Sequence, residues 1–133
     1  MAIGVFATTI TCIDGRTQSP VSEWVKRNAH ADYVDTVTWP GPDGVLTSAP
    51  QAILDQIRKM VEISVTAHGS TFLAIAGHND CAAFPADRER HLAAISDAVS
   101  VVASWGLPVR VAGLWVNDQW QIEVVGYGGA ITG

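Results

Sequence analysis

Two stretches of the sequence without a charged residue, 3–10 and 71–76, restrict the possible fold most strongly. Both consist of β-branched, aromatic and small residues, so neither has a polar face that could be turned toward water. Such runs are typical of strands in a parallel sheet that is covered on both sides by helices. The sequence therefore predicts a sheet whose central strands are buried.

Three amphipathic segments predict helices between the strands. Ser19 followed by Pro20 is typical of an N-cap with proline at the first helical position, and predicts a short helix that ends near residue 28. Ser48 and Gln51 have the spacing of a capping box, which predicts the start of a second helix. Apolar residues recur at helical spacing in the second and third segments: Ile53, Ile57, Val61 and Val65, then Leu92, Ile95, Val99 and Val102.

Further strands are predicted at residues 33–38, 109–116 and 119–125, with the turn-rich segment 40–44 after the first of them. The resulting order β-α-β-α-β-α-β-β predicts an α/β fold with a mainly parallel central sheet flanked by helices. We expect four parallel strands plus an antiparallel edge strand. The small-residue tail 126–133 could be mobile or could pack on a partner.

The composition narrows the class of protein. A chain of 133 residues, 48% hydrophobic and 16% charged, is expected to form a single domain over residues 1–133. Its net charge is -5 and it has no cluster of lysines or arginines, which argues against nucleic acid as a partner.

The first ten residues are apolar but lack the positive flank of a signal peptide, and they are too few to span a bilayer. We therefore expect a cytoplasmic protein with no membrane partner. In a reducing cytoplasm the two cysteines should persist as thiols or metal thiolates.

Three potential metal ligands follow the ends of the two charge-free runs. Cys12 lies just after the first run, and His78 and Cys81 lie just after the second. Ligands of parallel sheets bind beyond the carboxyl ends of the strands, where successive connections leave toward opposite faces. If these two strands are neighbours, the three side chains converge. The three-residue step from His78 to Cys81 is expected to place both on one helical turn.

Two thiolates and one imidazole suit Zn²⁺, and a site with three protein ligands leaves a fourth position for water. Zinc lowers the pKa of bound water to about 7, which makes hydroxide available at neutral pH. The ligand set therefore predicts hydration or hydrolysis of an electrophilic carbon.

Asp14 and Arg16 follow Cys12 on the same loop, close enough to form a charge-assisted pair. An aspartate held by arginine can accept a hydrogen bond from zinc-bound hydroxide and orient it. Released from Arg16, the Asp14 carboxylate could instead occupy the fourth zinc position. We therefore expect Asp14 to have either a catalytic or a metal-binding role.

The segments Cys-Ile-Asp-Gly-Arg at residues 12–16 and Gly-His-Asn-Asp-Cys at residues 77–81 resemble the zinc motifs of β-class carbonic anhydrases, Cys-x-Asp-x-Arg and His-x-x-Cys. The resemblance implies Zn²⁺ bound by Cys12, His78 and Cys81, with the aspartate and arginine of the first motif as the orienting dyad. It also implies interconversion of CO₂ and bicarbonate by a homodimer or higher homo-oligomer. Related enzymes of the same fold hydrolyse carbonyl sulfide or carbon disulfide.

Several alternatives to this interpretation stay open. The chain could be a catalytically inactive zinc-binding homologue. Cys12 could instead act as a nucleophile, although the spacing to Arg16 does not fit a phosphate-cradling loop. A structural zinc normally has four Cys or His ligands, and the sequence has no third cysteine.

The other polar residues of interest receive no catalytic role from the sequence. His30, His68 and His91 lack paired ligand residues at suitable spacing, so we expect them to be solvated helix-end or surface residues. Asp80 could accept a hydrogen bond from a group around the metal ligands, but we favour an acidic residue at the N-terminus of a helix, where the helix dipole would stabilise it.

Overall fold

The computed structural model describes residues 3–130. A 3₁₀ turn, Gly15–Thr17, lies between the first strand and the first helix. The remaining elements follow in this order along the chain: β1 Phe6–Thr11, α1 Gln18–Ala29, β2 Tyr33–Thr38, α2 Pro42–Ser48, α3 Gln51–His68, β3 Phe72–His78, α4 Arg88–Ala103, β4 Arg110–Val116 and β5 Ile122–Gly129.

The five strands form one sheet in the order β2-β1-β3-β4-β5. β1 pairs in parallel with both β2 and β3, β3 pairs in parallel with β4, and β5 runs antiparallel to β4 at the edge. Each connection between consecutive parallel strands contains one or two helices, whereas a tight turn joins β4 to β5 and reverses the chain. The predicted fold, four parallel strands plus one antiparallel edge strand flanked by helices, is confirmed.

Helices cover the two faces of the sheet unequally. α1 packs on one face, where Val21 and Val25 contact a cluster of small and aliphatic residues that includes Ala74 and Leu114. α3 and α4 cover the other face around Ile75. The chain therefore leaves β1 toward one face and leaves β3 toward the other. The crevice at the carboxyl ends of these two neighbouring strands is the topological switch point.

α3 is an 18-residue amphipathic helix, as its four-residue apolar repeat predicted. Ile57 and Val61 on this stripe are fully buried, and the helix ends at Gly69 in the left-handed conformation with φ 70°. Within residues 3–130, no helix combines the length and the apolarity that crossing a membrane would require.

The predicted capping box at Ser48 is wrong. Ser48 is the last residue of the short helix α2, and its hydroxyl donates to the carbonyl of Gly44 at 2.8 Å. α3 begins at Gln51, whose side chain donates to Asp55 within the same helix. α2 replaces the turn expected at residues 40–44, because proline is tolerated in the first turn of a helix.

Two other predicted boundaries move. α1 begins at Gln18 with Thr17 as its N-cap residue, before the predicted cap at Ser19. The last strand continues through four residues of the predicted tail, to Gly129, because glycine allows β5 to approach α4 closely. A Cβ atom at Gly128 would lie 3.0 Å from Val99. Residues 131–133 of the tail lie outside the described part of the chain.

Candidate metal centre

The adjacency of β1 and β3 brings the three predicted metal ligands together. Cys12 directly follows β1, His78 is the last residue of β3, and Cys81 lies three residues further on. All three are at least 96% buried, and their potential ligand atoms lie within 4.8 Å of one another. The two Sγ atoms are 4.0 Å apart. These residues could therefore hold one metal ion.

The step from His78 to Cys81 is a tight turn, so the helical turn predicted there is wrong. Asp80 adopts the left-handed conformation with φ 58°, which aspartate tolerates better than most residues. The backbone amide of Asn79 donates to the carbonyl of Val116 and continues the pairing with β4 by one residue. Since α4 begins only at Arg88, Asp80 does not lie at a helix N-terminus.

The hydrogen bonding of His78 leaves one ring nitrogen available to a metal. Nδ1 lies 2.7 Å from the carbonyl oxygen of Asn79, and because a carbonyl only accepts, Nδ1 must carry the proton. Nε2 then presents a lone pair. It is buried and has no hydrogen-bond partner within residues 3–130, which would be costly for a histidine with a purely structural role. The orphaned nitrogen fits a metal ligand whose other nitrogen is oriented by the backbone.

The environment of Cys81 affects its thiol in two opposing ways. Burial raises the pKa of this thiol, while hydrogen bonds from the backbone amides of Phe84 and Ala83 lower it. Metal binding requires the thiolate form, which those amides stabilise. Two sulfur donors and one imidazole in a buried crevice are a donor set that suits Zn²⁺ and leaves one coordination position free.

Asp14 and Arg16 form the predicted ion pair beside these ligands. Nη2 of Arg16 donates to Oδ2 of Asp14 at 2.7 Å, and Nε donates to Oδ1 at 3.0 Å, so the contact is bidentate. The Arg16 guanidinium holds the pKa of the Asp14 carboxyl to about 2. Asp14 does not belong to the group formed by Cys12, His78 and Cys81, whose potential ligand atoms lie close together. Both of its carboxylate oxygens instead accept hydrogen bonds from Arg16.

Arg16 also connects the loop that follows β1 with the turn that follows β3. Its Nη1 and Nη2 donate to the carboxylate and the carbonyl of Asp80 at 3.2 and 3.3 Å, and its guanidinium carbon lies 4.5 Å from the centre of the Trp120 ring. The hydrogen bonds that Arg16 donates to Asp14 raise the pKa of Arg16 more than its contact with Asp80 does. Arg16 therefore remains charged and fixed between the loops.

Gln18 is a site residue that sequence reasoning missed. Its amide nitrogen donates to the carbonyl of Cys12 at 2.8 Å and to the carbonyl of Asp14 at 3.3 Å. Gln18 thereby ties the loop that carries Cys12 and Asp14 to the start of α1. No local pattern marks it, because a polar residue in the first helical turn is ordinary.

The expectation that the remaining histidines are solvated is wrong for His91. Its side chain is 1% exposed, and Nδ1 lies 2.6 Å from the equally buried carboxylate of Asp43. His68 is half-buried and makes a contact of the same kind with Asp35, also at 2.6 Å. His30 is exposed at the C-terminal end of α1, as expected.

Comparisons with known proteins identify a family model that matches most of the chain and solved structures with a similar fold. A family model described as "Putative carbonic anhydrase" matches residues 2–126. A structure from work on two tetrameric β-carbonic anhydrases of the filamentous ascomycete Sordaria macrospora superposes with a TM-score of 0.61 at 14% identity, covering 93% of this chain and 82% of that chain. The carbonic anhydrase from Glaciozyma antarctica gives 0.52 at 13% identity, with coverages of 90% and 81%. A search of curated proteins gives no match.

We predict that the purified chain binds about one zinc ion, and that His78→Ala weakens zinc binding by about 100-fold or more because it removes the orphaned Nε2 ligand. The measurement is competition with a chromophoric chelator. His30→Asn is the matched control, since His30 is exposed and asparagine tolerates its left-handed backbone. A wild-type chain holding less than about half a zinc ion would contradict the prediction.

We predict that Arg16→Gln raises the pKa of Asp14 from about 2 toward the ordinary value of 3.8 in the metal-free protein. Because the folded-state pKa is the lower one, the pair stabilises the fold above pH 3.8 and loses this effect as the pH falls toward 2. Carboxyl NMR titration measures the shift.

Arg88→Gln is the control for this titration, since hydrogen bonds from Asn117 and then from Arg88 lower the pKa of Glu123 elsewhere on the surface. It should raise the pKa of Glu123 and leave that of Asp14 unchanged. An Asp14 pKa that stays near its wild-type value in Arg16→Gln would show that the guanidinium is not its cause.

Proposed function

Because the chain belongs to the carbonic anhydrase family whose model matches residues 2–126, we propose that it catalyses the zinc-dependent hydration of CO₂ to bicarbonate. The observation that carries the proposal is the orphaned Nε2 of buried His78, close to two thiols at the switch point of the sheet. A buried imidazole with one oriented and one unpartnered nitrogen has the environment of a metal ligand.

The proposed zinc ligands are Cys12, His78 and Cys81. When bound, Zn²⁺ would lower the pKa of a water molecule to about 7 and so supply a nucleophile at neutral pH. Hydration joins the oxygen of this water to the carbon of CO₂ and releases one proton. The protein must therefore orient the nucleophile and accept its hydrogen bond.

Asp14 is the proposed orienting residue. With its pKa held to about 2 it remains an anion at neutral pH, so it can only accept a hydrogen bond from the nucleophile. Arg16 fixes the direction of both carboxylate oxygens. The alternative role, in which Asp14 is itself a zinc ligand, requires these hydrogen bonds to break. The paired geometry favours the orienting role.

We predict that Asp14→Asn keeps zinc but lowers kcat/KM for CO₂ hydration by about 100-fold, because asparagine accepts a hydrogen bond at only one of its two terminal atoms. Stopped-flow hydration of CO₂ measures the rate, and zinc content is determined on the same samples. Asp97→Asn, an exposed position on α4, is the control and should match the wild type.

A zinc-loaded wild type that hydrates CO₂ no faster than buffer between about pH 6 and 9 would contradict the proposed reaction and leave the zinc site standing. Assays with carbonyl sulfide and carbon disulfide would then separate a related hydrolase from an inactive zinc-binding homologue.

We also propose that the chain is a homodimer or a higher homo-oligomer. The similar Sordaria macrospora enzymes are described as tetrameric. Both edge strands of the sheet carry exposed apolar side chains, with Tyr33 54% exposed on β2 and Val124 and Tyr127 46% and 50% exposed on β5. Edge strands with apolar side chains are suited to pairing or packing with another chain.

Light scattering should therefore give a mass of at least two chains at micromolar concentration. Dilution should shift the mass toward that of one chain if the subunits exchange. A mass of 14.1 kDa at every concentration would contradict the oligomer.

A further inference from the structure

A buried histidine–aspartate pair packs against the segment of residues 77–84, which carries His78 and Cys81, and has no part in the proposed reaction. His91 on α4 and Asp43 on α2 are 48 residues apart in sequence, and each is 1% exposed. Burying such groups is costly, and an apolar pair of similar volume often stabilises a protein as well or better. Stability alone is therefore a weak explanation for this pair.

The hydrogen bonds of the pair define where its protons lie. Nε2 of His91 lies 2.9 Å from the carbonyl oxygen of Phe84, which only accepts, so Nε2 carries a proton. Nδ1 lies 2.6 Å from Oδ2 of Asp43, and the proton between them can belong to either group. In both arrangements the pair has no net charge, and both hydrogen bonds persist. Oδ1 of Asp43 has no partner in the described part of the chain.

His91 contacts the C-terminal end of the segment 77–84, at Phe84. His91 fixes the Phe84 carbonyl and contacts its ring edge-on, with 4.5 Å between ring centres. On the α2 side, a Cβ atom at Gly44 would lie 3.2 Å from the Phe84 ring, so the glycine allows close packing. Phe84 follows Cys81 by three residues, and its backbone amide lowers the pKa of the Cys81 thiol against the effect of burial, which raises it. Phe84 thus connects His91 directly to a proposed ligand.

Asp43 contacts the N-terminal end of the same segment, at Gly77. A Cβ atom on Gly77 would lie 2.6 Å from Oδ2 of Asp43 and 2.9 Å from Ile95. The carboxyl group therefore packs against the backbone immediately before His78. Only glycine permits this approach, because any side chain would displace Asp43 or the strand.

We propose that Asp43 and His91 are positioning residues that hold the segment of residues 77–84, and with it His78 and Cys81, in the geometry required for metal binding. The proposal rests on the zinc site of the proposed function but not on the reaction carried out there. The pair contacts the segment at both ends, at Gly77 directly before His78 and at Phe84 three residues after Cys81.

His91→Phe tests the proposal, because it keeps the ring and removes both hydrogen bonds. We expect zinc affinity, measured by chelator competition on folded protein, to fall by about 10- to 100-fold. The Co²⁺-substituted chain should show weaker thiolate-to-cobalt absorption. His68→Phe is the matched control, since it removes a histidine–aspartate contact of equal length from another part of the fold. It should bind zinc as the wild type does.

Asp43→Asn is the conservative variant. Its amide can donate to Nδ1 of His91 while Nε2 keeps its hydrogen bond to Phe84, so zinc affinity should stay within about threefold of the wild type. Asp43→Leu removes the contact and should behave like His91→Phe. This contrast separates loss of the hydrogen bond from loss of side-chain volume.

Gly77→Ala and Gly113→Ala provide a second test if His91→Phe fails to fold. Both introduce a Cβ atom within 3.0 Å of Ile95 on α4, but only the alanine at 77 displaces Asp43. Both should lower the free energy of unfolding, and only Gly77→Ala should weaken zinc binding, by about tenfold.

Wild-type zinc affinity and an unchanged cobalt spectrum in folded His91→Phe would overturn the proposal while leaving the zinc site intact. An equal loss of affinity in His68→Phe, or in Gly113→Ala, would also overturn it, by showing a general effect of stability. Failure of the wild type to bind zinc would overturn this proposal together with the proposed function.

Discussion

The parallel pairing of β1 with β3 is the constraint on which the site depends. Cys12 and Cys81 are 69 residues apart in sequence, yet their sulfur atoms lie 4.0 Å apart because both strands end at one edge of the sheet. Beyond this edge the chain continues from β1 to α1 on one face of the sheet and from β3 to α4 on the other face. The divergence of these two connections leaves a crevice between them. Exchanging the strand order would separate the ligands without altering either loop.

Two buried polar groups in this crevice would be stabilised by a bound metal ion. The Cys81 thiol has its pKa raised by burial, and Nε2 of His78 has no partner among residues 3–130. Both features are unfavourable in an apolar pocket and favourable around a cation, which satisfies the nitrogen and stabilises the thiolate. Asp14 differs because its ion pair with Arg16 already satisfies the carboxylate. A metal ion would therefore satisfy the Cys81 thiol and His78 Nε2, whereas the Asp14 carboxylate is already satisfied by Arg16.

The sequence predicted what local periodicity and motif spacing encode. The sheet, its α3 and α4 helices and the convergence at Cys12 and His78 follow from charge-free runs and helical repeats. Features that depend on distant partners escaped prediction. The histidine at 91 looked like a surface residue because its partner lies 48 positions away, and the last strand was predicted too short because its glycines gain their role only against α4. Burying a polar side chain is costly unless the fold supplies a hydrogen-bond partner, and a partner distant in sequence leaves no local pattern.

Main-chain atoms supply much of the support around the proposed ligands. A backbone carbonyl orients the ring of His78, and the backbone amides of Phe84 and Ala83 lower the pKa of the Cys81 thiol. Such contacts need a particular chain path but place little demand on side-chain identity. The fold itself is shared with structural neighbours at only 13–14% identity. Gln18 and His91 act on the main chain in the same region, because their side chains donate hydrogen bonds to the carbonyls of Cys12 and Phe84.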